Sequence, residues 1–261
     1  MLNPNIPNFS DLHPFLYSLA EQASITALDY FNSNLKVESK EDKTPVTVAD
    51  QEIEKQIRQA ITATFPEHGI RGEEQEDYNP EAVVQWIIDP IDGTRSFISG
   101  IPFFSTLIGL LFNDKPVFGC LAVPCEHKIF TSDGQSLFLN QKPYTRAQDN
   151  KPLDGSLLVT TDERDIYRLH PNLKYRELTE LVSFVRTWGD GYGYAMLLEN
   201  RAQLMLDPEL NPWDILPLMP LLNAAGLTCT SLNGKDPVKE ANMLCGEDSV
   251  QKAALSILNE P

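Results

Sequence analysis

Apolar residues near the start of the chain recur every three or four positions, which is the spacing of an amphipathic helix. In the first such segment these residues are Leu12, Phe15, Leu16, Leu19, Ala23 and Ala27. We expect a helix here, with Ser10 or Asp11 as its cap. A second segment with the same pattern contains Ile53, Ile57 and Ile61. Thr47 is its candidate N-cap, and Asp50 falls in the first turn, where the helix dipole favours a carboxylate.

The pattern then changes to short β-rich runs separated by turn residues, which predict the strands of a sheet. The runs are AVVQWIID, FFSTLIGLLF, KPVFGCLAV and KIFTS. A polar stretch with two prolines, NQKPYTRAQDNKPLDGS, follows them and predicts a boundary near residue 148. We therefore expect an N-terminal unit over residues 1–147 and a C-terminal unit over residues 148–261.

Strands and helices are mixed again after this boundary. The segments SLLVTT, SFVRT, AQLMLD, LTCTS and ANMLCG have the composition of strands. Helices are expected around residues 174–182 and in YGYAMLLEN, PWDILPLMPLLNAAG and DSVQKAALSILNE. Because both halves mix the two kinds of element, the predicted fold class is α/β or α+β.

Composition narrows the classes of protein to consider. The chain has 261 residues, 42% of them hydrophobic, which is enough for a sizeable core. No apolar run approaches the ~18 to 20 residues of a membrane span, and we find no signal-peptide pattern. The four cysteines lack CxxC spacing, so we expect reduced thiols in a cytoplasmic protein. A formal net charge of −16 disfavours nucleic acid and anionic lipid as partners.

The segment WIIDPIDGT, residues 86–94, ends an apolar run with two carboxylates. Asp89 should lie at the end of a buried strand, because Pro90 cannot donate a ladder hydrogen bond and should stop the sheet pairing. Asp92 should follow in a turn. Two carboxylates this close repel each other, and a divalent cation removes the repulsion. With oxygen ligands and no His or Cys nearby, the sequence favours a hard ion such as Mg²⁺.

The next two residues suit an anion. Gly93 allows the backbone to come close to a ligand, and a helix beginning at Thr94 would point the N–H groups of both residues at a phosphate. Two alternatives remain for this segment. It could be ordinary turn and cap chemistry. It could also belong to the aspartyl-phosphate phosphatases, although their DxDGT motif is one residue shorter than D-P-I-D-G-T.

Further carboxylates lie in RGEEQED, which contains Glu73 and Glu74, and in NPWDILPL, which contains Asp214. Taken singly, they are typical of a solvated loop and of a helix first turn. Taken in order, GEE, WIIDPIDGT and a WD before a helix ending in AAG resemble the inositol monophosphatase superfamily of Mg²⁺-dependent, lithium-sensitive phosphatases. The resemblance covers about residues 40–230.

The resemblance implies a layered αβαβα sandwich with the site between its two halves, two or three Mg²⁺ per site, and a homodimer. The implied metal ligands are Glu73, Asp89, the carbonyl of Ile91, Asp92 and Asp214. The implied catalytic residues are Glu73, Thr94, Asp50 and Thr47, the last two matching the family's VT-x-x-D segment. Asp50 would pair with Thr94. Lys40, or alternatively Lys43, would match a substrate-binding lysine on the preceding mobile loop.

The implied reaction is hydrolysis of a phosphate monoester. A water activated by Mg²⁺ near Glu73 and Thr94 would attack the phosphorus in line. A second Mg²⁺ near Asp92 and Asp214 would stabilise the leaving alkoxide. The amides of Gly93 and Thr94 would hold the phosphoryl oxygens.

Two segments bear on the substrate. GTRSFISG and WGDGYGY resemble the histidinol-phosphatase branch more than the inositol branch, which usually has Asn in place of Arg95. Asp190 and Asp207 would then hold the ammonium and imidazole of histidinol phosphate, with Glu209 a weaker candidate. Asp190 could instead cap the following helix. The helix end NAAGL and the hairpin TSDGQSLFLNQKP depart from the family pattern, so inositol monophosphate and another small monoester stay open. A non-catalytic phosphate or metal sensor on the same fold is a further alternative.

Overall fold

The computed structural model describes residues 9–33, 37–39, 45–148 and 151–260, and for residues 9–10, 37–39 and 45–47 it describes the backbone alone. The helices are α1 Phe9–Phe31, α2 Val48–Thr64, α3 Thr94–Ile98, α4 Glu163–Leu169, α5 Tyr175–Leu181, α6 Asp190–Leu198, α7 Pro212–Ile215, α8 Leu218–Ala224, α9 Pro237–Glu240 and α10 Asp248–Leu258. The strands are β1 Val37–Ser39, β2 Pro45–Thr47, β3 Gly69–Gly72, β4 Val84–Asp92, β5 Ser105–Phe112, β6 Lys115–Val123, β7 Lys128–Ser132, β8 Leu137–Leu139, β9 Lys142–Tyr144, β10 Leu157–Thr160, β11 Phe184–Arg186, β12 Leu204–Asp207, β13 Thr228–Thr230 and β14 Met243–Gly246.

Within the described ranges these strands form two large sheets and one hairpin. A seven-stranded sheet follows the chain in the order β3-β4-β5-β6-β7-β8-β9, antiparallel except where β3 runs parallel to β4. A five-stranded sheet has the order β11-β10-β12-β14-β13 and mixes parallel with antiparallel pairs. The short strands β1 and β2 pair with each other.

The helices cover the sheets in layers, which confirms the predicted αβαβα sandwich. Helices α1 and α2 pack on the outer face of the seven-stranded sheet, through a core that includes Leu16, Ile53 and Trp86. Helices α6 and α8 lie between the two sheets, where Leu197 and Leu221 join one continuous core. Helices α4, α5 and α10 cover the far face of the five-stranded sheet. No helix among the described residues has the length and apolarity to cross a bilayer.

Strand β4 is buried along nearly its whole length because helices cover both faces of its sheet. This is why its sequence is a continuous apolar run and does not alternate with polar residues. The expectation that pairing stops at Pro90 is wrong. A register shift between Asp89 and Asp92 accommodates the proline, and pairing resumes where Asp92 faces Ser105. A bulge of this kind redirects side chains, and here it lies next to both carboxylates.

Most predicted elements are present, with differences at their ends. Helix α1 begins at Phe9, so Asp11 lies in its first turn and does not cap it. Helix α2 begins directly after Thr47, whose side chain lies outside the described residues. The single helix expected from Pro212 onwards is split into α7 and α8, because Pro217 cannot donate the helical hydrogen bond. Helices α4 and α9 were not expected.

The boundary proposed near residue 148 falls between the last strand of the first sheet and the first strand of the second. The two sheets nevertheless share the central core, in which Leu107 and Leu121 of one meet Val159 and Met205 of the other. The division into units 1–147 and 148–261 stays a prediction.

Gly119 in β6 is the closest point between the seven-stranded sheet and the turn that joins α7 to α8. A Cβ at this position would overlap the carbonyl oxygen of Pro217, which is backbone and cannot move aside cheaply. We predict that Gly119→Ala lowers the free energy of unfolding by about 1–3 kcal/mol. Urea unfolding followed by circular dichroism measures this loss.

Gly155→Ala is the matched control, because a Cβ there meets nothing closer than Pro152 at 3.7 Å. We expect its unfolding midpoint to stay close to that of the unaltered protein. Equal midpoints for both variants would contradict the close approach at Gly119.

Candidate active site

A cavity of about 410 Å³ opens at the end of β4, and both halves of the sandwich contribute to its walls. It is lined by acidic, small polar and arginine side chains together with turn backbone: Glu73, Asp89, Ile91, Asp92, Gly93, Thr94, Arg95, Ser96, Thr161, Asp162, Arg164, Asp165, Thr187, Asp190, Pro208, Glu209, Asn211, Trp213 and Asp214. Most of the residues that the sequence singled out therefore line one cavity.

Three carboxylates form the centre of this cavity. One oxygen from each of Asp89, Asp92 and Asp214 lies within 4.8 Å of the others. The bulge in β4 positions the first two. The first turn of α7 positions Asp214, where the backbone N–H of Asn211 donates to Asp214 Oδ2 over 2.7 Å. A strand end and a helix start separated by more than a hundred residues thus meet at one point.

The three carboxylates lie close together, with Asp89 buried and Asp92 and Asp214 half-buried, and this shifts their pKa values upwards. Burial and the neighbouring carboxylates, first Glu73, raise the pKa of Asp89 well above its ordinary value. Burial raises the pKa of Asp92 to about 6, although the N–H of Gly191 opposes the shift. Burial and then Asp92 raise the pKa of Asp214 to about 8. The cluster is therefore costly to ionise without a counter-charge.

Asp89 gives the sharpest indication of a missing counter-charge. Its Oδ1 atom is buried and finds no hydrogen-bond partner among the described residues. A buried carboxylate oxygen without a donor is rare in folded proteins and calls for an explanation. An all-oxygen set with such an orphaned atom fits a hard divalent cation.

Groups from both halves of the chain hold Asp92 in place. Its Oδ2 atom accepts hydrogen bonds from the hydroxyl of Ser105, at 3.0 Å, and from the backbone N–H of Gly191. A Cβ on Gly191 would overlap both the Ser105 hydroxyl and the Asp92 carboxylate. Sequence analysis did not identify Ser105 or Gly191. The available signal for Gly191 was the glycine that follows Asp190 in WGDGYGY.

The turn after Asp92 has the geometry expected for an anion site. Gly93 adopts a left-handed conformation with φ of +85°, and a Cβ there would come within 2.9 Å of the Phe103 carbonyl oxygen. Helix α3 begins at Thr94, as predicted. The Thr94 hydroxyl donates to the carbonyl of Ile91 over 3.0 Å. Asp50 is buried near Asp89, and its pairing with Thr94 stays a prediction.

A second buried carboxylate, which sequence analysis missed, fixes the loop that carries Glu73. Glu54 of α2 accepts hydrogen bonds from the backbone N–H groups of Glu74 and Gln75 and from Arg58. A Cβ on Gly72 would overlap the Glu54 carboxylate, so this glycine lets the loop approach. The available signal was an acidic and a basic residue four apart on the apolar side of α2.

The two carboxylates predicted to hold the organic part of a substrate occupy different positions. Asp190 lines the cavity as the first residue of α6, with Gly189 in the cap position, so capping does not explain it. Asp207 is 1% exposed and does not line the cavity. Its oxygens accept from Thr161 and Tyr194. The predicted direct contact between Asp207 and a substrate is therefore not supported, because its oxygens are already bonded behind the wall.

Asp207 connects to Asp190 through one residue. The Thr161 hydroxyl donates to Asp207 Oδ1 and accepts from the backbone N–H of Asp190 over 2.9 Å. Asp190 has φ of +54°, a conformation that needs such support in a residue other than glycine. Asp207 thus positions the start of α6.

The mouth of the cavity carries two arginines that sequence analysis did not assign to the site. Arg164 and Arg95 both face Asp162, at 2.6 Å and 3.7 Å. Both side chains are largely exposed. Glu209 is also at the rim, near Arg168. Lys40 and Lys43 lie outside the described residues.

Comparisons with known proteins find similarity in sequence and in fold. The sequence model of the inositol monophosphatase family matches residues 9–260. A histidinol-phosphatase from Chlorobaculum parvum is 35% identical over 224 residues, covering 84% of this chain and 85% of the relative. A fructose-1,6-bisphosphatase/inositol-1-monophosphatase from Aquifex aeolicus is 26% identical over 226 residues, covering 85% and 84%. The structure of an inositol monophosphatase from Zymomonas mobilis superposes with a TM-score of 0.84 at 26% identity, covering 97% and 99%.

Repulsion among these carboxylates predicts that a divalent cation stabilises the protein more at pH 8 than at pH 6. Burial raises the pKa of Asp214 to about 8 and the pKa of Asp92 to about 6, so both carboxylates are more ionised at the higher pH. Because both pKa values are raised by folding, the folded chain binds protons more tightly than the unfolded chain. The stability that these protons provide is present at acid pH and is lost as the pH rises through the two values. A cation then replaces the protons. MgCl₂ added to EDTA-treated protein should raise Tm by several degrees at pH 8, and by less at pH 6.

Differential scanning fluorimetry measures both increments. Asp114→Asn is the control, since Asp114 is exposed in the turn between β5 and β6. Its increments should match those of the unaltered protein, whereas Asp214→Asn should reduce them. Equal increments at the two pH values would contradict the raised pKa values, and an unreduced increment in Asp214→Asn would show that this carboxylate does not bind the cation.

Proposed function

The chain belongs to the inositol monophosphatase family and is a phosphoric monoester hydrolase, and from this premise we propose that it is a magnesium-dependent histidinol-phosphate phosphatase. The observation that carries the proposal is the carboxylate of Asp190, which lines the same cavity as Asp89, Asp92 and Asp214. The 35% identical relative named histidinol-phosphatase supports the same substrate.

The proposed magnesium ligands are the carboxylates of Glu73, Asp89, Asp92 and Asp214, with the carbonyl of Ile91. The unpartnered Oδ1 of Asp89 and the raised pKa values of its neighbours support this set. When bound there, Mg²⁺ neutralises the carboxylates and the phosphate and makes water a better nucleophile at neutral pH.

The protein's own groups then orient the reaction. The carboxylate of Glu73, held by the loop that Glu54 fixes, accepts a proton from the attacking water. Thr94 orients that water from the other side, with Asp50 buried behind it. The N–H groups of Gly93 and Thr94 hold phosphoryl oxygens as negative charge builds up on them. These are the roles that in-line attack on a monoester requires.

Asp190 is the residue that we propose determines which phosphate ester is preferred. Histidinol phosphate carries an ammonium and an imidazole, and a carboxylate binds both by charge-assisted hydrogen bonds. An inositol ester offers neutral hydroxyls, to which a carboxylate contributes less. Inositol 1-phosphate is the second candidate, because relatives named inositol monophosphatase match nearly the whole chain.

We predict that Asp92→Asn lowers kcat by at least ~10²-fold, because it removes one negative charge from the proposed cation site. The fold should persist, since an asparagine oxygen can still accept from Ser105 and Gly191. Phosphate release with and without Mg²⁺ measures the loss. Asp114→Asn, which alters an exposed aspartate in the same way, should keep full activity.

A retained kcat in Asp92→Asn would remove the basis for the catalytic assignment. Absence of phosphate release from every ester by the unaltered, magnesium-loaded protein would instead favour a phosphate or metal sensor.

Substrate choice is tested with histidinol phosphate, inositol 1-phosphate and adenosine 3′,5′-bisphosphate. We expect histidinol phosphate to have the highest kcat/KM. Asp190→Asn should lower that value ~10–100-fold, the worth of a charge-assisted hydrogen bond, and change hydrolysis of inositol 1-phosphate much less. Asparagine tolerates the left-handed conformation of residue 190, so the variant should fold. An equal loss on both esters, or a clear preference for inositol 1-phosphate, would contradict the role of Asp190.

A further inference from the structure

Two cysteines that are 16 residues apart in sequence are direct neighbours in the five-stranded sheet. Cys229 of the edge strand β13 faces Cys245 of β14 in antiparallel register. Residues opposite each other in such a pair project to the same side of the sheet, at a separation that a disulfide can span. Their Sγ atoms lie 2.6 Å apart.

The two thiols differ in access. Cys245 is fully buried, and burial raises the pKa of its thiol well above the ordinary value. Cys229 is partly exposed at the edge of the sheet. Cys229 is therefore the more accessible of the two cysteines to a small reagent.

The remaining cysteines lack this arrangement. Cys120 in β6 is buried and faces Ile108 and Thr131 on its neighbouring strands. Cys125 is partly exposed in the turn after β6. The expectation of four reduced thiols rested on spacing along the chain, which cannot reveal cross-strand neighbours.

We propose that Cys229 and Cys245 form a reversible dithiol–disulfide pair that is oxidised by low-molecular-weight disulfides of the glutathione class. The inference concerns a site separate from the catalytic cavity and does not depend on the proposed substrate.

The chemistry proceeds by two thiol–disulfide exchanges. The Cys229 sulfur attacks one sulfur of the small disulfide, forms a mixed disulfide and releases one small thiol, which takes up the proton that Cys229 loses. The Cys245 sulfur then attacks the Cys229 sulfur and expels the second small thiol with its proton. Two protein thiols have lost two electrons, and one small disulfide has become two thiols.

The cross-link would fasten an edge strand to the sheet. Within the described residues, β13 has β14 as its one strand partner. Closing the loop between residues 229 and 245 restricts the unfolded chain, so the oxidised form should be more stable than the reduced form.

The test uses the full-length protein with Cys125→Ser, so that Cys229 is the one partly exposed cysteine left in the described part of the chain. Reduced protein is incubated under native conditions with oxidised glutathione, quenched in acid, alkylated and analysed by mass spectrometry without reduction. We expect a loss of two hydrogen atoms, a cross-linked peptide containing both cysteines, and return of both thiols after dithiothreitol. Oxidation should raise Tm by roughly 5 °C.

Two further variants separate the steps. Cys245→Ser should stop at the mixed disulfide on Cys229, and Cys229→Ser should lose the rise in Tm. Two alkylated thiols after glutathione treatment, a mixed disulfide that persists on Cys229 with Cys245 intact, or a cross-link that forms only in urea would each overturn the proposal.

Discussion

The mutual repulsion of one buried and two half-buried carboxylates is the constraint around which this structure is arranged. Moving an ion out of water costs several kcal/mol, and here Asp89, Asp92 and Asp214 are gathered within 4.8 Å of one another. The fold can hold them only because rigid elements carry them: a bulged strand buried on both faces and the capped first turn of a helix. Without a counter-charge this cluster would destabilise the fold, and with a divalent cation it is the proposed basis of the phosphatase activity.

The same cluster also joins the two halves of the sandwich. Asp92 belongs to the seven-stranded sheet, yet one of its hydrogen bonds comes from Gly191 at the start of the helix between the sheets. That start is fixed in turn by Thr161 and Asp207 of the five-stranded sheet. The residue proposed to choose the substrate, Asp190, therefore stands on a framework that is continuous with the catalytic cluster. A shift between the halves would change catalysis and specificity together.

The sequence could predict the cluster because its parts are local signals. An apolar run ending in D-P-I-D-G-T, and a WD before an apolar helix, each indicate where a carboxylate leaves a buried element. The sequence could not predict the residues that hold this cluster and its neighbouring loop in place. Glu54 looks like one more acidic residue of a helix, and the bond from Gly191 to Asp92 spans 99 positions. The surroundings of Asp207 could not be predicted for the same reason. Its motif gives its place in the chain, but its burial behind Thr161 and Tyr194 is decided by the packing of distant strands. The expected end of pairing at Pro90 was wrong because a β-bulge accommodates a residue that has no N–H to donate.

Charge also sets an order of events at the site. The chain carries a net charge of −16, and the cavity concentrates carboxylates, so a free phosphate dianion meets a repulsive field. The arginines at the mouth do not reverse it, because Asp162 lies between Arg95 and Arg164 and both guanidinium groups are largely exposed to screening solvent. The N–H groups of Gly93 and Thr94 supply partial charges only. Under the proposed function, binding of the ester should therefore follow binding of the cation, which would convert an acidic cavity into one that accepts a phosphate. The carboxylates that repel a phosphate are thus the same groups that would hold the proposed cation beside it.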